Sequence, residues 1–313
     1  MPDPQTHAPT SQPDSGLILG AVFCLLAATA WGTTGTAATF APDVPAVAIG
    51  AAAMGFGGLL QAAMAAGGIR RHAASLKAQL PLLLAGGLSV MIYPLAFYAS
   101  MRLAGVTIGT VISIGSAPLI SALIENRFDG IRLTLRWTSG AAIGIAGMAL
   151  LAMAEGTGHV IPDNVPLGVL LGLVAGATYA HYSWAARRMM QRGLPSRTAM
   201  GAMLGVGAVL LMPVLLATGA PFLVSAQNLA VGLYMALVPM FLGYIAFGAG
   251  LARVTTSMAT TITLFEPVVA AVLAVLVVGE RLPPMGWTGV GLIIACLLWT
   301  TAPLPKRRAR RRA

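Results

Sequence analysis

The chain has 313 residues, 57% of them hydrophobic and only 9% charged, with a mean hydropathy of +0.83. Soluble proteins carry about 25% charged residues, so this composition cannot cover a surface in water, and a soluble architecture is excluded. A formal net charge of +10 would suggest nucleic acid in a soluble domain. Here it comes from a terminal run, "KRRARRR" (Lys306 to Arg312), and from short connections between apolar segments, so nucleic-acid binding is not expected.

The opening "MPDPQTHAPTSQPDSG" is polar, Pro-rich and without a basic residue, unlike the positive start of a secretory signal. Residues 1–16 are therefore expected to form a disordered cytoplasmic tail. Apolar runs then recur at the length that a hydrocarbon core of about 30 Å requires of a helix. Polar, Pro and Gly breaks divide them into ten candidate spans at 17–39, 45–68, 79–100, 105–125, 134–153, 167–187, 198–218, 228–250, 255–278 and 285–302. With the N-terminus inside, every Lys and Arg except Arg102 and Arg281 falls in an inner connection, at an inner helix end or in the tail at 303–313. The outer connection "EGTGHVIPDNVP" (Glu155 to Pro166) has acids and no Lys or Arg. This asymmetry supports the count and puts both termini in the cytoplasm.

The halves at 17–153 and 167–302, joined by the outer linker 154–166, share internal similarity. "AFYASMRLAGVTIGTVISIGSAPLI" from Ala96 aligns with "AFGAGLARVTTSMATTITLFEPVV" from Ala246, bringing Pro118 opposite Pro267. "RWTSG" (Arg136 to Gly140) faces "GWTGV" (Gly286 to Val290), and "GIRL" at 130–133 faces "GERL" at 279–282. Five helices per half is an odd number, so the second half enters the membrane from the opposite side. Such inverted repeats mark secondary transporters, whose substrate site lies near midplane. The expected fold is thus an all-α integral membrane protein of ten helices in two inverted five-helix repeats.

"AWG" in the first span (Ala30 to Gly32), "EP" in the ninth (Glu266, Pro267) and "GERL" after it together resemble the EamA-type transporters of the drug/metabolite transporter superfamily. The resemblance covers about residues 17–302. It implies a bacterial inner-membrane carrier that exports amino acids or other small metabolites. It also implies a central cavity lined by helices 1, 3, 4, 6, 8 and 9, with 5 and 10 peripheral. The first half departs from the pattern, with Ile131 where its "GERL" copy would carry glutamate and Ser116-Ala117 before Pro118.

The residues themselves nominate a site. Glu266 stands near the middle of the ninth span, where a charged side chain costs about 2.5–3.5 kcal/mol on insertion scales. Thr256, Thr260, Thr263 and Glu266 share a helical face. Pro267 has no N–H to donate, and such a helix break is tolerated at membrane depth where it lines a cavity or is packed by neighbours; Pro118 is its counterpart. Two readings of Glu266 are open: a cavity carboxylate for a substrate ammonium or a coupling proton, or a protonated acid hydrogen-bonded between helices. His181 has an ordinary pKa near about 6.5, suited to proton exchange, but His also joins helices. Trp31, Tyr93, Tyr179 and Tyr244, with Tyr182 and Tyr234, lie in or near spans that the resemblance places at the cavity. Glu125 ends the fourth span, and the membrane–water interface is its expected home. Glu280 and Arg281 suggest an outer-edge cap or salt bridge. Gly168, Gly172 and Gly176, Gly201 and Gly205, and Gly140 and Gly144 have the spacing of close helix contacts. Cys24 and Cys296 lack ligand-spaced neighbours.

No P-loop or HExxH sequence occurs, and no cofactor, metal or enzymatic role is expected. The expected partners are a small-molecule substrate, an amino acid or metabolite, the lipid bilayer, and protons. The reading is a secondary exporter working by alternating access, with proton antiport as its coupling. A membrane-embedded enzyme acting on a lipid-linked substrate and a passive channel are the alternatives.

Overall fold

A computed structural model describes residues 13–154, 164–279 and 281–302, apart from the side chains of residues 13, 14, 106 and 107. The expected tail at 303–313, most of the tail at 1–16 and of the linker at 154–166, and Glu280 lie outside the described residues. Ten helices are long and apolar enough to cross a membrane: α1 (Ser15–Ala38), α2 (Ala46–Arg71), α3 (Leu80–Ala104), α4 (Ile108–Asp129), α5 (Leu135–Ala154), α6 (Val165–Gln191), α7 (Ser196–Thr218), α8 (Ala226–Leu251), α9 (Thr256–Val278) and α10 (Pro284–Thr301). The backbone of α1 is helical back to Pro13, inside the segment expected to be disordered. Proline at a first helical position loses no intrahelical bond, so nothing there opposes the extension. Among the described residues there is no strand.

The boundary between α3 and α4 falls several residues later than expected because Gly105 makes the turn. Its φ of +88° is a region that side-chain-bearing residues avoid. A second left-handed glycine, Gly130, closes α4. Outward faces carry large apolar side chains, Leu26, Leu123, Leu216, Leu276 and Leu298 among them, as a lipid-facing surface requires.

The heaviest helix contacts are α2 with α7, α3 with α6 and α5 with α10, followed by α4 with α6 and α1 with α8. Exchanging each helix for its counterpart five places on maps α3–α6 onto α1–α8 and leaves α2–α7 and α5–α10 unchanged. The two halves thus pack as symmetry-related repeats. The glycine spacings serve these contacts: Gly168, Gly172 and Gly176 seat α6 on α3 and α4, Gly201 and Gly205 seat α7 on α2, and Gly140 and Gly144 seat α5 on α10.

Among the described residues, the membrane helices depart from α geometry in the second half only. In α8 a π-helical stretch, Ala236–Leu242, surrounds Pro239. In α9 a 3₁₀ turn, Thr263–Phe265, precedes Glu266, and a π-helical stretch, Ala274–Val278, follows. Pro267 sits beside that 3₁₀ turn. Pro118 has no such turn beside it, which is a correction: it lies inside an unbroken α4. One missing N–H costs a single bond, and α4 around Pro118 is pressed against α6 where Gly176 meets Ser116 and the Ser113 carbonyl.

Candidate functional site

Glu266 opens the second α-helical part of α9, directly after the 3₁₀ turn. That turn advances at about 3.0 residues per turn rather than 3.6, and the expected polar stripe divides. Thr260 is buried against α4, with its hydroxyl 3.3 Å from the Ser121 hydroxyl and 2.9 Å from the Thr256 carbonyl. Thr263 donates to the Thr260 carbonyl (3.0 Å) and meets the Tyr179 hydroxyl at 2.8 Å. Only Glu266 reaches the cavity at the centre of the bundle.

That cavity is walled by aromatic rings: Trp31 from α1, Tyr93, Phe97 and Tyr98 from α3, Tyr179 and Tyr182 from α6, and Tyr244 from α8. Trp31 stands 5.0 Å from Tyr244 and 6.4 Å from Tyr179, and Tyr179 stands 5.5 Å from Tyr93, centroid to centroid. Most hydroxyls are already engaged. Tyr182 and Tyr244 share a hydrogen bond of 2.8 Å, and Tyr179 is left to donate to Thr263. Trp31 Nε1 donates to the Pro239 carbonyl at 2.9 Å, and Gln61 Nε2 donates to the Phe241 carbonyl at 2.6 Å. Both acceptors lie in the π-helical stretch of α8, whose irregular hydrogen bonding is thus completed by α1 and α2.

Gly32 explains why tryptophan is followed by glycine. A Cβ there would come within 2.6 Å of Val269 and 2.7 Å of the Glu266 carbonyl oxygen. Only a residue without Cβ lets α1 lie against α9 at this level, with the neighbouring Trp31 turned toward the rings.

Of the expected site residues, Glu266, Trp31, Tyr93, Tyr179 and Tyr244 line one cavity, and Thr263 supports it from behind. Thr260 and His181 do not line it. His181 pairs instead with the Ser89 hydroxyl at 2.9 Å, joining α6 to α3. The expected lining also changes. No residue of α4 contributes, whereas Ile49, Gly50, Ala53 and Met54 of α2 do. The reason is size: the small residues of α2 let it approach α3, where Gly50 meets the ring of Tyr98, while α4 is taken up by α6 and the start of α9. Tyr98 and Phe97 carry no signal of their own in the sequence because neighbouring apolar residues give them no contrast.

The second departure is Glu125, which is 1% exposed rather than at a wet interface. Its carboxylate accepts from Thr256 N (2.5 Å), Ser257 N (3.0 Å) and the Ser257 hydroxyl (2.6 Å), and Arg187 of α6 stands 3.8 Å away. Thr255 caps the next N–H, that of Met258. The first-turn donors of α9, which no helix can satisfy internally, are thus bound by Glu125 of α4 and by Thr255. Arg187 Nε also donates to the Val254 carbonyl at 2.7 Å. Asp129 receives Arg188 (2.5 Å) and Trp184 Nε1 (2.8 Å) nearby. These clasps tie α4, α6 and α9 at the end of the bundle that carries the basic connections. The cavity lies at mid-depth and toward the other end, since its lining includes the first half of α2 and the second half of α3.

Glu266 differs from these two acids in one respect. Glu125 and Asp129 are ion-paired, whereas no cation or hydrogen-bond donor among the described residues reaches the Glu266 carboxylate, and the cavity contains no Arg, Lys or His. Nor do His, Cys, Asp and Glu cluster there as a metal site, among the described residues.

Comparison with known proteins agrees with this architecture. The sequence profile of the EamA-like transporter family matches residues 18–153 and again 166–302. The transporter YwfM of Bacillus subtilis, itself uncharacterized, is 32% identical over 92% of this chain and 95% of its own. A probable terminal-alkyne amino-acid exporter of Streptantibioticus cattleyicolor is 28% identical, over 89% of this chain and 95% of its own. The threonine/homoserine exporter RhtA of Escherichia coli is 28% identical over 73% of each chain. A solved crystal structure superposes with a TM-score of 0.74, covering 90% of this chain and 96% of its own at 20% identity, and so shares the fold. With two copies of the family's repeat, ten membrane-length helices and a central cavity between the halves, the chain belongs to the EamA-like transporter family of multi-pass membrane proteins.

Proposed function

We propose that this protein is a secondary active exporter of small amphipathic metabolites, amino acids and related compounds, that works by alternating access and exchanges its substrate for a proton at Glu266. One observation carries the reading: a carboxylate with no partner among the described residues, in the middle of a membrane-length helix and in a ring-lined cavity between two inverted repeats. A carboxylate is not retained in such a place without compensation, and an ammonium group or a proton supplies it in turn. Two relatives named as amino-acid exporters support the substrate class.

In this reading the basic connections face the cytoplasm of a bacterial inner membrane, with both chain termini on that side. The clasps at Glu125 and Asp129 hold the cytoplasmic end shut while the cavity faces outward. Substrate loading from inside requires them to part. Trp31, Tyr93, Tyr179 and Tyr244 form the walls, with Thr263 fixing Tyr179. His181 and Thr260 join helices and do not touch the substrate. Pro267 and its 3₁₀ turn present Glu266, and no cofactor, metal or catalytic chemistry takes part.

The test is counterflow in proteoliposomes with labelled amino acids and amines, with and without an imposed pH gradient. Saturable flux that follows the gradient and falls at least about tenfold in Glu266→Gln is expected for a carrier whose site includes this acid. Saturable flux indifferent to both would remove proton coupling and the role of Glu266. Flux that never saturates would make the protein a channel, and chemically altered substrate would make it an enzyme.

A further inference from the structure

The charge inventory of the cavity narrows the substrate class within the carrier reading, on which this step rests. Among the described residues the lining holds one acid, Glu266, and no basic side chain. A free amino acid brings a carboxylate of its own. That group would enter beside Glu266 with no guanidinium, ammonium or imidazole of the described residues to meet it, between aromatic walls where like charges repel more strongly than in bulk water. The neutral donors are also few. Trp31 Nε1 is bound to Pro239, Tyr179 is committed to Thr263, and the Thr34 hydroxyl donates to the Trp31 carbonyl at 2.7 Å. The Tyr182–Tyr244 pair has one proton left over, and of the ring hydroxyls in the lining only those of Tyr93 and Tyr98 have no partner among the described residues. An amine without a carboxylate meets none of these obstacles. Its charge neutralises Glu266, its body packs against the rings, and a cation within about 6 Å of an aromatic face is further attracted by the ring quadrupole.

We infer that the cavity selects compounds with one positive charge and an apolar or aromatic body over free zwitterionic amino acids and over anions: amines, and amino-acid derivatives whose carboxyl is absent or masked as an amide or ester. Glu266 is the specificity-determining residue, and the absence of a cationic partner in the lining is the discriminating feature. An amine bound to Glu266 leaves the cavity neutral, whereas a zwitterion leaves it with one uncompensated negative charge.

The experiment uses one ring with three charge states. Phenethylamine, phenylalanine and 3-phenylpropionate are titrated into the purified full-length protein at a single neutral pH, with binding followed by calorimetry. Phenethylamine is expected to bind about tenfold or more tighter than phenylalanine, and 3-phenylpropionate not measurably at about 10 mM. In Glu266→Gln that preference should vanish through loss of phenethylamine affinity. If Glu266→Gln does not elute as a folded protein, Glu266→Asp is used, which should keep the order of the three ligands. Phenylalanine binding as tightly as phenethylamine overturns the inference, as does a failure of phenethylamine to bind at about 10 mM. A preference that survives Glu266→Gln overturns the role given to Glu266. Phenylalanine counterflow without phenethylamine binding would sink the substrate class and leave the carrier standing. Phenethylamine binding without flux of any compound would do the reverse.

Discussion

Trp31 and Gly32 show how two adjacent residues serve one site through different helices. Trp31 satisfies the carbonyl of Pro239 in α8, and Gly32 admits α9 at Glu266. Replacing Trp31 with Phe keeps a ring but leaves that carbonyl unpaired, at a cost of about 1–3 kcal/mol; the expected outcome is a lower melting temperature in detergent and reduced flux. Gly32→Ala places a methyl against Val269 and the Glu266 backbone. Overpacking of that kind costs about 1–3 kcal/mol, and since the strain falls beside the carboxylate, flux should drop more than stability does. Equal flux and melting temperature in Gly32→Ala would show that α1 need not approach α9 so closely.

At the scale of elements, the start of α9 depends on a residue of α4 for its capping. Glu125 binds two backbone N–H groups and a hydroxyl that are 131 and 132 positions away. Glu125→Ala leaves those donors and Arg187 without a counter-charge. Breaking a buried pair by removing one partner costs about 3–5 kcal/mol, so a lowered melting temperature is expected. In the alternating-access reading the same change opens the basic end. Glu125→Gln keeps the shape, and its loss should be smaller. If Glu125→Ala melts like the parent protein, the clasp contributes no stability. The irregular parts of α8 and α9 divide along similar lines: Pro239 and Pro267 lie beside altered backbone, and Pro118 does not. A proline removes one donor everywhere, but whether the helix departs from α geometry depends on the helices packed around it.

For the molecule as a whole, the position of the cavity and the clasps predicts where reagents gain entry. Cys24 and Cys296 are buried, so single introduced cysteines report on their own sites. Thr34→Cys, in the lining and only half-buried, should react with a small membrane-impermeant thiol reagent applied from the side opposite the basic connections. Ser121→Cys, buried behind the clasp, should react from neither side. When it is combined with Glu125→Ala, labelling from the basic side should appear. Labelling of Thr34→Cys only from the basic side would reverse the assignment of the open face.

How much of this could be read without coordinates follows from which interactions are local. Hydrophobic length, the charge of the connections and the five-helix repeat are properties of contiguous segments, and they determined ten membrane helices in two related halves, since a bilayer penalises each segment separately. Glu266 was legible too, because an acid in an apolar run stands out against its own neighbours. The role of Glu125 was not. An acid at a helix end has the same sequence context whether it meets water or the first turn of another helix, and only packing brought Thr256, Ser257 and Arg187 to it. The contribution of α2 was likewise hidden, since Gly50 and Ala53 carry no chemistry and matter only through the aromatic residues they face. The tertiary structure alone decided which polar residues share the cavity and which join helices. That choice depends on distances between segments far apart in the chain, and those distances arise only when side-chain volumes interlock.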